Sequence, residues 1–301
     1  MTRTPSITLP AFTLVLMAGL TLAASQQPTL EEVLARAAEY HTTYTQRLSG
    51  VTLNEEAQVL DVTGGKARGV IRISSDVVFV NLQGQVAALR DPYAVDTQAL
   101  RPRTPRIAAL LAAPATPTSR DWDLAASYPA QGSIHFILDL QVKVNEPTTA
   151  LQFISPKFQP SMKYRLDGRK KINDVETVGV RFEEPTGRDQ FHVLGTRSNA
   201  RATGRFWIDP LTGAIHQSEL WVDSKLENAV VLVKYARHAT LGLLLPTEMT
   251  DTYEEREGGG APRQMGRGAN PRGSVPSRVS VQSRSIYTGA TYSPIDLSRL
   301  R

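Results

Sequence analysis

Five histidines, His41, His135, His192, His216 and His238, are the first candidates for proton transfer or metal ligation in this 301-residue chain. No two of them stand at helix or strand ligand spacing, and there is no HExxH or HxH run. His41 could serve as a base facing an interior hollow, but its position on the apolar stripe of a helix makes it a packed side chain first. His216 and Ser218 fall on one face of a strand by alternation, the start of an acyl-transfer pair. Neither an acid nor an oxyanion donor set can be located to complete it.

Carboxylates come in adjacent pairs: Glu31-Glu32, Glu55-Glu56, Glu183-Glu184 and Glu254-Glu255. Neighbouring side chains diverge on helix and strand alike, so such pairs do not converge on one substrate atom. Asp121-Trp122-Asp123 lacks the further oxygens and the glycine of a calcium loop and fits a helix cap better. Gly64-Gly65-Lys66 lacks the upstream glycine and following hydroxyl of a phosphate loop and fits a hairpin turn. The chain has no cysteine, which removes disulfides, thiolate metal sites, a cysteine nucleophile and a lipid-bearing cysteine together. No catalytic residue, metal ligand or cofactor is therefore assigned, and the ligand-binding residues stay unknown. Trp122, Trp207 and Trp221 remain, the last two flanking a hairpin where they either pack in the core or line a hollow.

The formal charge of +5 has one location. Between Arg256 and Arg284 stand six arginines and a single acid, Glu257, which accounts for the whole excess and leaves the rest of the chain balanced. Gly258, Gly259, Gly260, Gly266, Gly268 and Gly273, with Pro262, Pro271 and Pro276, make this stretch too poor in apolar side chains to offset its chain entropy. A flexible loop over 256–284 is expected: either a solvated insertion between two strands or an arm for anions. No aromatic interleaves the arginines to stack on bases, so nucleic acid is a poor partner, while peripheral contact with an anionic membrane stays open.

The elements that must position these residues follow from patterning. Arg3, an apolar run from Ala11 to Leu22, and the small residues Ala23, Ala24 and Ser25 have the order of a cleavable signal peptide over 1–25. The run is too short to span a bilayer, so a periplasmic or secreted protein is expected, without a lipid anchor and monomeric. Thr29 with Glu32 forms a capping box ahead of a helix whose Leu30, Val33, Leu34, Ala37, Ala38, His41, Tyr44 and Leu48 share one face, ending at Ser49-Gly50. Strands are expected at 51–62, 67–74, 76–82 and 86–90, with a break at Ser75-Asp76. Short helices are expected at 107–113, 122–128 and 148–154. Further strands are expected at 178–182, 206–208, 215–222, 229–237, 241–253 and 285–293, the last pairing with its predecessor across the arginine-rich loop. Ten or eleven strands in a meander tend to curl, which gives an α+β fold: a curved antiparallel sheet, a half-open β-barrel, plugged by helices.

The run Gly204-Arg205-Phe206-Trp207-Ile208-Asp209-Pro210-Leu211-Thr212-Gly213-Ala214-Ile215, ending in Glu219, resembles the hairpin of outer-membrane lipoprotein-sorting carriers of the LolA and LppX type and their exported bacterial relatives. The leading helix, the segment from Leu241 to Met249 and the closing stretch from Tyr287 to Tyr292 are similar to the same family. The resemblance covers most of residues 29–297 and implies one LolA-like domain over 26–301. It also implies a hollow that receives lipid or lipoprotein acyl chains, hence a non-catalytic carrier or binding protein rather than an enzyme. The alternative is an anion- or partner-binding module acting through the arginine- and glycine-rich loop.

Overall fold

The computed structural model describes residues 27–63, 66–82, 84–103, 106–107, 109, 144–185, 200–223, 227–255 and 279–295. One helix, α1 (Leu30–Leu48), precedes eleven strands: β1 (Val51–Thr63), β2 (Lys66–Leu82), β3 (Gln85–Val95), β4 (Gln98–Ala99), β5 (Lys163–Ile172), β6 (Val175–Glu183), β7 (Arg201–Ile208), β8 (Ile215–Asp223), β9 (Glu227–Arg237), β10 (Leu244–Glu255) and β11 (Val279–Tyr292). They form one antiparallel sheet in the order β4-β3-β2-β1-β11-β10-β9-β8-β7-β6-β5, two meanders joined where β11 lies beside β1. β4 and β5 are its open ends.

Register shifts at Thr52/Asn54, Ser74/Ser75, Leu166/Arg169, Trp207/Ile208 and Pro246/Glu248 bend the strands, and the sheet curves. Alternation then gives each strand a concave and a convex side. Ala229, Val231, Val233 and Tyr235 on β9 face inward, as do Ala202, Gly204, Phe206 and Ile208 on β7. Val33, Ala37, Tyr44 and Leu48 of α1 belong to the same buried cluster, so the helix lays its stripe on the concave side. Each large side chain so buried stabilises by about 1.5–3 kcal/mol. The capping box is formed, Glu32 N–H donating to Thr29 Oγ1 and Thr29 N–H to Glu32 Oε2.

α1 is tied down along its length. Arg36 Nη1 donates to Pro210 O at 2.5 Å, in the β7–β8 turn, and Arg47 Nη2 to Leu241 O at 3.0 Å, in the β9–β10 turn. Gly213 has φ +74°, and a Cβ there would collide with the Arg36 carbonyl, so the β7–β8 turn needs glycine for conformation and for space.

Residues 144–162 run across the concave side as a strap containing two short 3-10 turns, Thr149–Ile154 and Gln159–Ser161. The first matches the helical turn expected at 148–154 and stops at Ser155, held extended at ψ 151° before Pro156.

Several expectations are corrected. β2 runs unbroken through Ser75-Asp76: Ser75 is fully buried on the concave side, and Asp76 receives Arg103 at 3.3 Å, so neither forms a turn. β5 has no counterpart among the expected strands, and its connection to β6 turns on Asn173 and Asp174 at φ 49° and 64°. β11 begins at Val279, so 279–284 are strand rather than loop. It pairs with β10 as expected, Glu254 opposite Ser280. The remainder of that loop, the signal segment and the helix at 122–128 lie outside the described residues, as does 107–113 apart from Ile107 and Ala109.

Candidate functional site

The concave side joins two chemistries. At the β5–β8 end, Phe153 of the strap stacks on Phe182 of β6 with ring centroids 5.1 Å apart, and Phe182 on Phe206 of β7 at 4.8 Å. Gly204 makes this possible, because a Cβ there would occupy the Phe182 ring. The result is an aromatic ladder under the strap.

Towards β1, β3, β10 and β11 the same concave side is charged. Arg90 on β3 donates through Nε to Glu55 Oε2 at 2.7 Å and through Nη2 to Glu55 Oε1 at 3.0 Å. Tyr287 Oη donates to Glu55 Oε1 at 2.8 Å. Arg90 and Glu55 are 4% and 1% exposed. Burial works against the Arg90 charge, but Glu55 and Tyr287 outweigh it and keep the guanidinium protonated. Tyr287 is pushed well up, first by burial and then by Glu55. Asp251 on β10 stands near enough to feel both Arg90 and Glu55, and Ser283 Oγ donates to its Oδ1. Its Oδ2 is buried with no hydrogen-bond partner among the described residues, and burial raises its carboxyl to about 6.

The strap joins the two ends. Arg90 Nη2 donates to Asn145 O at 2.7 Å, Ala88 N–H to Glu146 Oε2 at 3.3 Å, and Thr148 Oγ1 to Val86 O at 3.2 Å, all at β3. Tyr235 Oη on β9 donates to Pro147 O at 2.6 Å, Tyr164 Oη on β5 to Phe153 O, and Gln159 Nε2 to Leu34 O of α1 at 3.0 Å. The strap therefore bridges from β3 to the far edge strand and grips the helix. Burial raises the Glu146 carboxyl, opposed by Arg90.

His41 is buried on the stripe of α1, and burial lowers its pKa to about 4. His216 and Ser218 do share the concave face, but Ser218 Oγ bonds Tyr235 Oη at 3.2 Å, and the His216 Nδ1 has no partner among the described residues. They are not assembled as a nucleophile and base. His238 Nδ1 accepts from Leu241 N–H at 3.3 Å and serves the β9–β10 turn. The acidic pairs diverge as read: Glu55 points inward, while Glu56 accepts from Ser74 Oγ at 2.7 Å outside. Glu184 is buried and accepts from Ala202 N–H at 3.1 Å, while Glu183 pairs with Arg201. Thr63 pairs with Lys66 around Gly64-Gly65, which lie outside the described residues with His135, His192 and Asp121-Trp122-Asp123. Trp207 and Trp221 correct one expectation: both lie on the convex side and line no interior hollow, because strand alternation aims them away from Phe206 and Leu220.

Glu55, Arg90, Asp251 and Tyr287 were missed. The signal was available: an acid or arginine at an inward position among apolar neighbours, as in Leu53-x-Glu55-x-Ala57-x-Val59 and Met249-x-Asp251-x-Tyr253. Among the described residues no cluster of three or more His, Cys, Asp or Glu could hold a metal, and no helix is long and apolar enough to cross a membrane.

A curved, open antiparallel sheet with a helix and a strap on its concave side defines the class of fold. No family model matches the chain, and no curated protein matches it. Among solved structures it is similar to a domain named for outer-membrane lipoprotein sorting from Vibrio parahaemolyticus, at 8% identity over 87% of this chain and 93% of that one, with a TM-score of 0.36. It is similar to a DUF1329 family protein from Desulfovibrio piger at 9% identity over 88% and 97%, TM-score 0.31. A LolA superfamily protein from Nitrosomonas europaea matches at 11% identity over 87% and 96%, TM-score 0.30.

Proposed function

We propose that this protein is an exported, non-catalytic carrier or binding protein that holds an amphiphile with an acyl chain between the concave face of the sheet and the plug formed by α1 and the strap. The observation that carries the reading is the division of that face. An acyl chain needs an apolar bed, which Phe153, Phe182 and Phe206 supply, and a polar terminus needs donors and acceptors, which Arg90, Glu55, Tyr287 and Asp251 supply. The strap touches both ends, so its displacement would open both together. It is seated by its buried Val144, Leu151, Phe153 and Ile154 as well as by hydrogen bonds, and none of those bonds belongs to the strand ladder, so lifting it would expose apolar surface but leave the pairing of the sheet intact.

The same reading assigns residues 1–25 to an export signal and the rest to one domain. Displacement of an environment-sensitive fluorescent fatty acid from the purified chain tests it. Saturable binding at one site, competed by unlabelled fatty acid and lysophospholipid, is expected. Absence of saturable binding would overturn it.

A further inference from the structure

The outer face of β5–β7 carries an unusual row. Arg165 on β5 lies opposite Arg181 on β6, and Arg181 opposite Arg205 on β7, so three successive strands place arginine beside arginine on one convex line. At ordinary strand spacing the row is about 10 Å long. Like charges directly opposite on a sheet destabilise it. Edge protection accounts for charge on β5, which ends the sheet, but not for Arg181 and Arg205 on inner strands.

Acids offset one end of the row: Arg205 pairs with Asp167 at 2.9 Å and lies opposite Glu219, whose Oε1 accepts from Trp207 Nε1 at 3.3 Å and Gln217 Nε2 at 2.9 Å, while Glu183 is engaged by Arg201. The other end is not offset. Arg165 is exposed and has no ion pair among the described residues, and Arg181 rests only over the Trp221 ring at 5.8 Å. Lys163 and Lys170 extend the positive field on the same side, Lys170 lying 5.4 Å over Trp207.

We propose that this arginine row, with the half-buried Trp221 beside it, is a docking surface for the anionic phospholipid headgroups of a membrane. The cations match phosphates, and each contributes roughly a fivefold gain in partition at an anionic surface. The half-buried Trp221 indole favours the bilayer interface, where an apolar ring and a polar N–H are both satisfied, whereas Trp207, 7% exposed, lies beneath Lys170 and Arg205 and only supports the row from below. A dissolved polyanion would use the cations alone. The row faces away from α1 and the strap, so the contact leaves the concave side clear, and it stands whether or not that side binds a ligand.

Flotation of the full chain with vesicles of phosphatidylcholine, with and without phosphatidylglycerol, tests the proposal. Wild type should float only with the anionic vesicles, less as salt rises. The double variant Arg165→Gln/Arg181→Gln should lose about 25-fold in partition, while Arg165→Lys/Arg181→Lys, equal in charge, should keep most of it. Brominated lipid should quench tryptophan emission in wild type. Neutralising Arg263, Arg267, Arg272 and Arg278 to Gln should leave flotation unchanged. Equal flotation with neutral vesicles, no effect of the Gln pair in a protein of unchanged circular dichroism, loss through the second set of arginines instead, or binding to a soluble acidic polymer but not to vesicles would each overturn it.

Discussion

Arg90 and Glu55 meet across an intervening strand: one is on β3, the other on β1, and β2 passes between them with only the small, fully buried Ser75 opposite Glu55. Two hydrogen bonds of 2.7 and 3.0 Å close the pair in the interior. Removing one partner leaves a buried charge uncompensated, which costs about 3–5 kcal/mol. Glu55→Leu and Arg90→Met should each lose that much in urea denaturation. Together they should lose clearly less than the sum of the two, and additive losses would refute the coupling.

Asp251 and His41 give opposite pH slopes. The folded carboxyl of Asp251 titrates near 6, above its unfolded value, so the folded state holds the extra proton and stability falls as pH rises towards 6. Folded His41 titrates near 4, below its unfolded value of 6.5, so stability falls as pH drops from 6.5 towards 4. Each effect is on the order of 3 kcal/mol at most. Asp251→Asn should leave a stability that rises with pH between about 4 and 6. His41→Gln should leave one that falls over the same window. Thermal unfolding across that range checks both signs.

Gly213→Ala should destabilise by on the order of 3 kcal/mol, because φ +74° strains alanine and its methyl would meet the Arg36 carbonyl. Calorimetry of the variant beside Gly84→Ala separates the causes. Gly84 shares a positive φ of +88° but has open space around it, and its variant should lose less.

Much of this architecture was legible from patterning. Thr29, Glu32 and the stripe from Leu30 to Leu48 specify α1, because a cap and a periodicity are local properties. The β10–β11 pairing was legible from two apolar strands flanking a glycine-rich run. What escaped was set by distant partners. Ser75-Asp76 has turn residues, yet long-range pairing with β1 and β3 keeps β2 extended. β5 has the composition of a surface segment, Lys163, Arg165, Arg169, Lys170 and Lys171, and only pairing with β6 makes it a strand. In the charged group of the candidate site the inward acids were legible one by one, but their meeting was not, for the same reason: Glu55 and Arg90 lie 35 residues apart and meet only once β2 is in place.

The strap should loosen when its tyrosine donors are removed. Tyr235→Phe frees Pro147 O and Tyr164→Phe frees Phe153 O, each at about 1 kcal/mol. Hydrogen exchange should accelerate across 144–162 while β8–β10 stay protected. Uniform acceleration throughout the sheet would contradict an independently opening strap.

Photolabelling by a fatty acid carrying a diazirine along its chain, read by peptide mass spectrometry, tests directly whether an acyl chain lies within the curve of the sheet. The account places the label on α1, on the strap around Phe153 and on the inward residues of β6 and β7 near Phe182 and Phe206, suppressed by excess unlabelled fatty acid. Label confined to convex positions such as Trp207 and Trp221, or insensitive to competitor, would contradict it.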